Sequence, residues 1–348
     1  MKEITSVHNP QVQRLRELQK AKGRREAGLF LAESVKMVRE AIALGLCRTL
    51  IVDKSRREVL AELIGAAQAA GCEVLLVTAA VMQAISEQKT PQGVCCTVRI
   101  PEEPERLSGS LIVAMDGVQD PGNVGTILRT ADAAGFDGAL LSSACADLYG
   151  AKTLRATMGS VFRVPVRRTA DLPAALEEMK ARGYAIVATE LGGADFYAHC
   201  PHERAVLVIG SEGNGVSAAV REVATHHLAL PMRGGAESLN AAVAAGIMIY
   251  EMARAVPLHQ TELRIQMLFI RAKRRRESEE RGPSGGFGRQ PNVSCTGFAR
   301  KIRKEVNYVC YAWYDSGGAR TPQGCGAEDG SCAVQGALGR AHAGVPQD

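Results

Sequence analysis

Three stretches of this sequence combine glycine with side chains that bind or polarise a ligand, and each directly follows an apolar run. In "DGVQDPGNVGTILR" the Pro121–Gly122 pair makes a turn, and Asn123 is suited to cap the helix that follows. Val124, Ile127, Leu128 and Ala131 form the buried stripe of that helix, which leaves Arg129 off the stripe. In "VLVIGSEGNGVS" Gly210, Gly213 and Gly215 make a turn that lets a ligand approach the backbone. Glu212 inside this turn would repel a pyrophosphate and suits a cationic ligand, or hydroxyl and amine donors. In "LPMRGGAESLNAAVAAGIMIYE" Ser238 is placed to cap a final helix. That helix carries Leu239, Ala242, Val243, Ile247 and Ile249, so deep burial is expected, with Asn240 as a buried amide that needs partners. Taken singly, the stretches also read as a capped helix with an exposed arginine, a structural turn, and a core asparagine.

The elements that must position these residues are strands alternating with helices. "LFLAE", "RTLIVD", "CEVLLV" and "GVCCTV" read as strands, with helices starting near Ser34, Arg56 and Ala79 and a first helix carrying Val12, Leu15 and Leu18. This predicts a small α/β domain over 1–100, followed by a linker over 101–110 rich in proline, acids and small polar residues. A second alternation runs over 111–256. Its strands are "LIVAMD", "GALLSS", "RVPV", "YAIVAT", "AVLVIG" and "HLALP", with helices near 123–135, 171–183, 216–226 and 239–253. Apolar strands separated by helices predict a parallel sheet covered on both faces. Ligands of such sheets bind at the carboxyl ends of strands, where all three stretches lie.

Composition narrows the function classes. The net charge is +5, and the basic residues cluster. Arg14, Arg16, Lys20, Lys22, Arg24 and Arg25 form one group and Arg271–Arg276 holds another, a distribution that suits either a polyanion or a solvated helix face. The ten cysteines include no C-x-x-C pair and no secretory signal precedes them, so they read as reduced cytosolic thiols without zinc. No apolar run is long enough to span a bilayer. The segment 257–348 is basic, then rich in glycine and proline without periodicity, and is expected to be a poorly ordered tail.

Together the three stretches resemble the signature motifs of the SpoU (TrmH-like) RNA ribose 2′-O-methyltransferases of the SPOUT superfamily. The matches are Asn123-x-Gly125-x-x-x-Arg129, "IGSEGNG" over Ile209–Gly215, and "LPMRGGAESLN" over Leu230–Asn240. "NPQVQRLRELQKAKGRREAGLFLAES" is similar to the substrate-binding domain often attached to these enzymes. That domain commonly has glycine where this chain has Ser34, a departure that bears on a turn. The resemblance implies an α/β fold: a small substrate-binding domain, then a parallel-sheet SPOUT domain closed by a C-terminal trefoil knot. It implies a homodimer and S-adenosylmethionine as cofactor, held by Gly210, Leu230, Met232 and Leu239, with neither metal nor membrane involved. The first domain would bind RNA phosphates through the Arg14–Arg25 cluster.

The resemblance makes Arg129 the catalytic arginine. A guanidinium resists deprotonation, so its expected role is to bind the target phosphate and stabilise charge on the 2′-oxygen, rather than to act as base. Asn123, Glu212, Ser238 and Asn240 would orient it, the ribose and the cofactor, with Glu212 its natural partner. Large-subunit ribosomal RNA is the favoured substrate and transfer RNA the alternative. A catalytically inactive RNA-binding protein of the same fold is disfavoured by the intact polar set. A dinucleotide-dependent oxidoreductase is disfavoured by the glycine order and by the serines that end "GALLSS".

Overall fold

The structure, a computed structural model, describes residues 1–201 and 203–254. The tail expected over 257–348, including Arg271–Arg276, lies outside the described residues. The N-terminal lobe is built on β1 (Lys2–Ile4), β2 (Leu29–Glu33), β3 (Cys47–Asp53), β4 (Glu73–Val77) and β5 (Val94–Arg99), in the order β1-β4-β3-β5-β2. Strands β1, β4 and β3 run parallel, whereas β5 is antiparallel to both β3 and β2. Helices α1 (Pro10–Glu17), α2 (Ala21–Ala27), α3 (Val35–Ala43), α4 (Ala61–Ala69) and α5 (Ala79–Ile85) accompany them. Asn9 caps α1 and Pro10 opens it, so Val12, Leu15 and Leu18 point into the core. The helix expected near Arg56 is a single tight turn there, and α4 starts only at Ala61.

The second lobe holds β6 (Leu111–Asp116), β7 (Gly138–Ser142), β8 (Val166–Thr169), β9 (Ala185–Asp195), β10 (Ala205–Gly210) and β11 (His226–Ala229). They form one sheet in the order β11-β9-β10-β6-β7-β8, with every pairing parallel. The helices are α6 (Pro121–Ala134), α7 (Ala151–Thr157), α8 (Leu172–Ala181), α9 (Phe196–His199), α10 (Ala218–Val223) and α11 (Ala241–Arg254). Alternate strand residues serve opposite faces. Leu111, Val113, Met115, Leu207 and Ile209 pack with Ile127 and Leu128 of α6 and Ala245 and Ile249 of α11. Ile112, Ala114, Val206 and Val208 pack with Leu176 of α8 and Val220 of α10. Fully buried strands on both faces explain the continuous apolar runs.

A polar and aromatic seam joins the lobes. Phe30 of β2 stacks on Tyr149, with ring centroids 4.9 Å apart. The Arg163 guanidinium pairs with Glu40 of α3 and donates to Asp132 of α6 at 2.8 Å. Arg24, expected among the RNA-binding cations, is a structural residue. It is 6 % exposed and donates to the carbonyls of Leu18 and Gln19 and to Asp147 at 2.6 Å. Arg14, Arg16, Lys20, Lys22 and Arg25 remain exposed, with Lys20 and Lys22 paired to Glu17 and Glu26.

Ser34 joins β2 to α3 with φ +105°, a conformation that strongly favours glycine, while its hydroxyl accepts the Met37 N–H as the helix cap. Ser34→Gly loses a cap worth a few tenths of a kcal/mol but relieves strain of about 1–3 kcal/mol. Allowing for glycine's unfolded-state entropy, a net gain of about 0.5–1 kcal/mol is expected in urea unfolding. Ser34→Ala keeps the strain and loses the cap, so it should be less stable than wild type by about 1 kcal/mol. The reverse ranking would refute this account of the turn.

Candidate active site

The three stretches emerge at the carboxyl ends of β6, β10 and β11. Neighbouring β6 and β10 are in register through Met115↔Ile209 and Asp116↔Gly210, so their loops start side by side. Asp116 then accepts the Ser217 N–H at 2.8 Å, and Ser142 accepts the Gly117 N–H at 2.9 Å, which tie the loops down. The second loop is a tight turn in which Ser211 and Gly215 exchange backbone hydrogen bonds of 3.0 and 2.9 Å. It folds back over Gly210, where an added Cβ would lie 2.1 Å from the Gly215 carbonyl carbon. Glycine is therefore obligatory at 210 for the turn itself, before any ligand is considered.

Helix α6 is capped by Asp120, whose carboxylate accepts the Asn123 N–H at 2.8 Å, with Pro121 in the first turn. Asn123 was expected to be the cap. It instead sits inside the first turn, leaving its side-chain amide free to reach across the site. The expected stripe of Val124, Ile127, Leu128 and Ala131 is fully buried, and Arg129 is exposed. Gly125 allows close helix packing: a Cβ there would lie 2.5 Å from the Ala156 Cβ of α7.

The centre of the site is an amide relay. Asn240 caps α11 by accepting the N–H groups of Ala242 and Val243 at 3.0 and 3.3 Å. Its NH₂ group donates to Asn123 Oδ1 at 3.1 Å, and Asn123 Nδ2 donates to Glu212 Oε1 at 2.7 Å. Both amides are oriented without ambiguity, because helix N–H groups occupy one end and an acceptor-only carboxylate the other. Burial by itself would raise the Glu212 pKa. The Asn123 amide and the backbone N–H groups of Glu212, Gln119 and Asp120 outweigh it and hold the carboxyl below the usual glutamate range.

Several expectations change at this point. Glu212 is partnered by Asn123 and not by Arg129; among the described residues no hydrogen bond or ion pair engages Arg129. Asn240 caps α11 in place of Ser238, and both residues are exposed. The helix is not buried all round: Val243, Ile247 and Tyr250 are 52 %, 37 % and 56 % exposed along one face. Leu230 is half-buried against the core, while Met232 and Leu239 stand exposed on the loop before the relay. Sequence reasoning missed Asp116, Ser142 and Asp120 as loop supports. Asp120 had a signal, an N-cap residue directly before a first-turn proline.

The arrangement offers apolar side chains and a folded glycine turn for a nucleoside-like ligand, a carboxylate for a cationic centre, and an exposed guanidinium for a phosphate. Among the described residues no cluster of His, Cys, Asp or Glu is placed to hold a metal ion, and no helix is long and apolar enough to cross a membrane.

Comparison with known proteins gives the family and the fold. The family model described as SpoU rRNA Methylase family matches residues 110–250, and the MRM3-like substrate binding domain matches residues 9–96. The chain is 36 % identical over 254 residues to the 23S rRNA (guanosine(2553)-2′-O)-methyltransferase RlmP of Bacillus subtilis, covering 72 % of this chain and 99 % of that protein. The AdoMet-bound rRNA methyltransferase of Sinorhizobium meliloti superposes with a TM-score of 0.65 at 36 % identity, over 74 % of this chain and 98 % of that one. The SpoU methyltransferase AviRb of Streptomyces viridochromogenes, in complex with AdoMet, gives 0.64 at 30 % identity, over 71 % and 98 % of the two chains.

The relay makes a prediction whose sign depends on pH. In wild type, the depressed Glu212 pKa contributes stability that is fully present above the unfolded glutamate pKa of about 4.3 and is lost as pH falls through the folded value. Asn123→Asp replaces the donor with a second carboxylate, which should raise the Glu212 pKa above its ordinary value. The variant's deficit in urea unfolding should therefore be largest at neutral pH and shrink in mild acid. A deficit that does not change with pH would mean that residue 123 does not face Glu212.

Proposed function

Because the chain belongs to the SpoU rRNA methylase family of the SPOUT superfamily, we propose that its three carboxyl-end loops form the site where a methyl group passes to a ribose of large-subunit ribosomal RNA. The chain is an S-adenosylmethionine-dependent RNA 2′-O-ribose methyltransferase. The observation that carries the assignment of the site is the Asn240–Asn123–Glu212 relay, which ties together all three motif-bearing loops. The naming of the Bacillus subtilis relative for 23S rRNA favours ribosomal over transfer RNA.

The cofactor supplies a methyl group on a sulfonium, a good leaving group; the weakly acidic ribose hydroxyl is the difficult partner. The backbone of the Gly210 turn and the side chains of Leu230, Met232 and Leu239 hold the cofactor, and the apolar, accessible character of Met232 and Leu239 fits an adenine surface. The Glu212 carboxylate, its charged form favoured by its donors, gives the site a negative charge suited to a cationic ligand. Arg129 binds the phosphate of the target nucleotide and stabilises negative charge developing on the 2′-oxygen, while a phosphate oxygen takes the hydroxyl proton. Ser238, two residues before Asn240, adds an exposed hydroxyl on the same loop.

Residues 1–100 serve as the RNA-binding domain, with Arg14, Arg16, Lys20, Lys22 and Arg25 facing phosphates, and residues 111–256 as the catalytic domain closed by a trefoil knot. A homodimer in the cytoplasm completes the reading. It is supported by Val243, Ile247 and Tyr250, an exposed stripe at helical spacing on the helix that the relay caps.

Arg129→Ala is expected to lower tritium transfer from labelled S-adenosylmethionine to unmodified ribosomal RNA by about 10²–10³-fold, the range for losing one stabilising donor. Cofactor affinity by calorimetry should stay unchanged. Full transfer by the variant would remove Arg129 from the reaction, and absence of transfer by wild type would refute the reading as a whole.

A further inference from the structure

At the seam between the lobes Glu33, Glu40, Asp132 and Asp147 all have internal partners, among them Arg24 and Arg163, while three cations, among the described residues, do not. Glu33 accepts from Ser86, Gln88 and the Glu87 N–H, Glu40 pairs with Arg163, Asp132 accepts from Ser160 and Arg163, and Asp147 holds Arg24. Lys36 of α3 and Lys152 and Arg155 of α7 are exposed, and no ion pair engages them among the described residues. The exposed charges named here that no ion pair engages, Lys36, Lys152 and Arg155, are therefore all positive, although the chain as a whole carries only +5.

These cations share one surface. Arg155 lines a small cleft with Leu31, Glu33 and Met37, so α7 lies against the start of α3. Lys36 adjoins Met37, and it acts electrostatically on Glu40 one turn along α3. Lys152 is one turn before Ala156, the residue that packs on Gly125 of α6. Arg129 lies on that same face of α6, four residues after Gly125 and three before Asp132, which is bonded to Arg163. The network through Arg163 holds α3, α6 and the segment after α7 together, so the spacing of the cations is fixed.

We propose that Lys36, Lys152 and Arg155 bind backbone phosphates of the RNA strand flanking the target nucleotide and carry it across both lobes to Arg129. The proposal rests on the RNA methyltransferase reading and extends it to a surface outside the three motifs. Phosphates spaced along a strand match a row of unpaired cations, and the release of counterions on binding gives each contact a measurable salt dependence.

The test uses full-length protein, an unmodified large-subunit ribosomal RNA transcript as probe, and equilibrium binding over a range of KCl concentrations. In K36Q/K152Q/R155Q the slope of log Kobs against log[KCl] is expected to fall in magnitude by about 2–3, at about 0.7–0.9 per lost contact. KM for RNA should rise at least tenfold, with kcat at saturating RNA and cofactor affinity unchanged. R106Q/R204Q/R221Q removes the same charge from exposed positions outside the RNA-binding domain and should leave the slope as in wild type. An unchanged slope in the seam variant, as expected if the seam binds an acidic protein instead, or an equal loss in both variants, would overturn the proposal. Failure of wild type to methylate an RNA whose binding still depends on the seam would instead overturn the catalytic reading alone.

Discussion

The polarity of the Asn240–Asn123–Glu212 relay is the constraint on which the site depends. Its direction is fixed at both ends, by unsatisfied N–H groups of a helix and by a carboxylate that only accepts. Three loops distant in sequence are thereby held by two side-chain hydrogen bonds. The same bonds favour the charged form at the centre, because the donor that orients Glu212 also lowers its pKa. A cap, normally a local device for ending a helix, here registers that helix against two other loops.

Helix α6 presents different faces to different tasks. Asn123 and Arg129 are six residues apart, about 120° round the helix axis. Asn123 faces the relay, and Thr130, one turn pair later, faces Gly246 of α11. Gly125 and Asp132 face α7 and the seam. Packing on two sides leaves Arg129 exposed between them. That explains why a residue placed off the buried stripe by periodicity alone has no intramolecular partner among the described residues.

Much of this was legible in the sequence because it is local. Apolar runs between helices predict parallel strands, and the alternation over 111–229 appears as six of them, although the strand expected at "RVPV" starts only at Val166 because Arg163 ends a tight turn. The positions of the three loops follow from where those strands end. What was not legible depends on partners far along the chain. Glu212 finds Asn123 from 89 residues away, and Arg24 is drawn inside by Asp147 of the other lobe, 123 residues on. A basic residue in a basic run gives no hint of this. Asp120 and Asn123 are both good capping residues; Pro121 decides between them, since proline suits the first turn. Helix α11 is apolar on two faces, and the described residues cover only one of them.

The contacts across the seam have a consequence for how a nucleotide is chosen. From Arg24 an unbroken path runs through Asp147 to the adjoining Ala146, whose N–H binds the Val118 carbonyl at 2.9 Å, and on to the Gln119 and Asp120 N–H groups at Glu212. The turn bearing the N-terminal cations is thus built into the same framework as the reaction centre. On the proposed reading the protein works as a caliper with fixed jaws. A ribose qualifies by its distance along a folded strand from the point where that strand is gripped, so target choice is a matter of measured length more than of base identity. Aromatic residues make up only 4 % of the chain, which suits a gauge that reads backbone rather than bases.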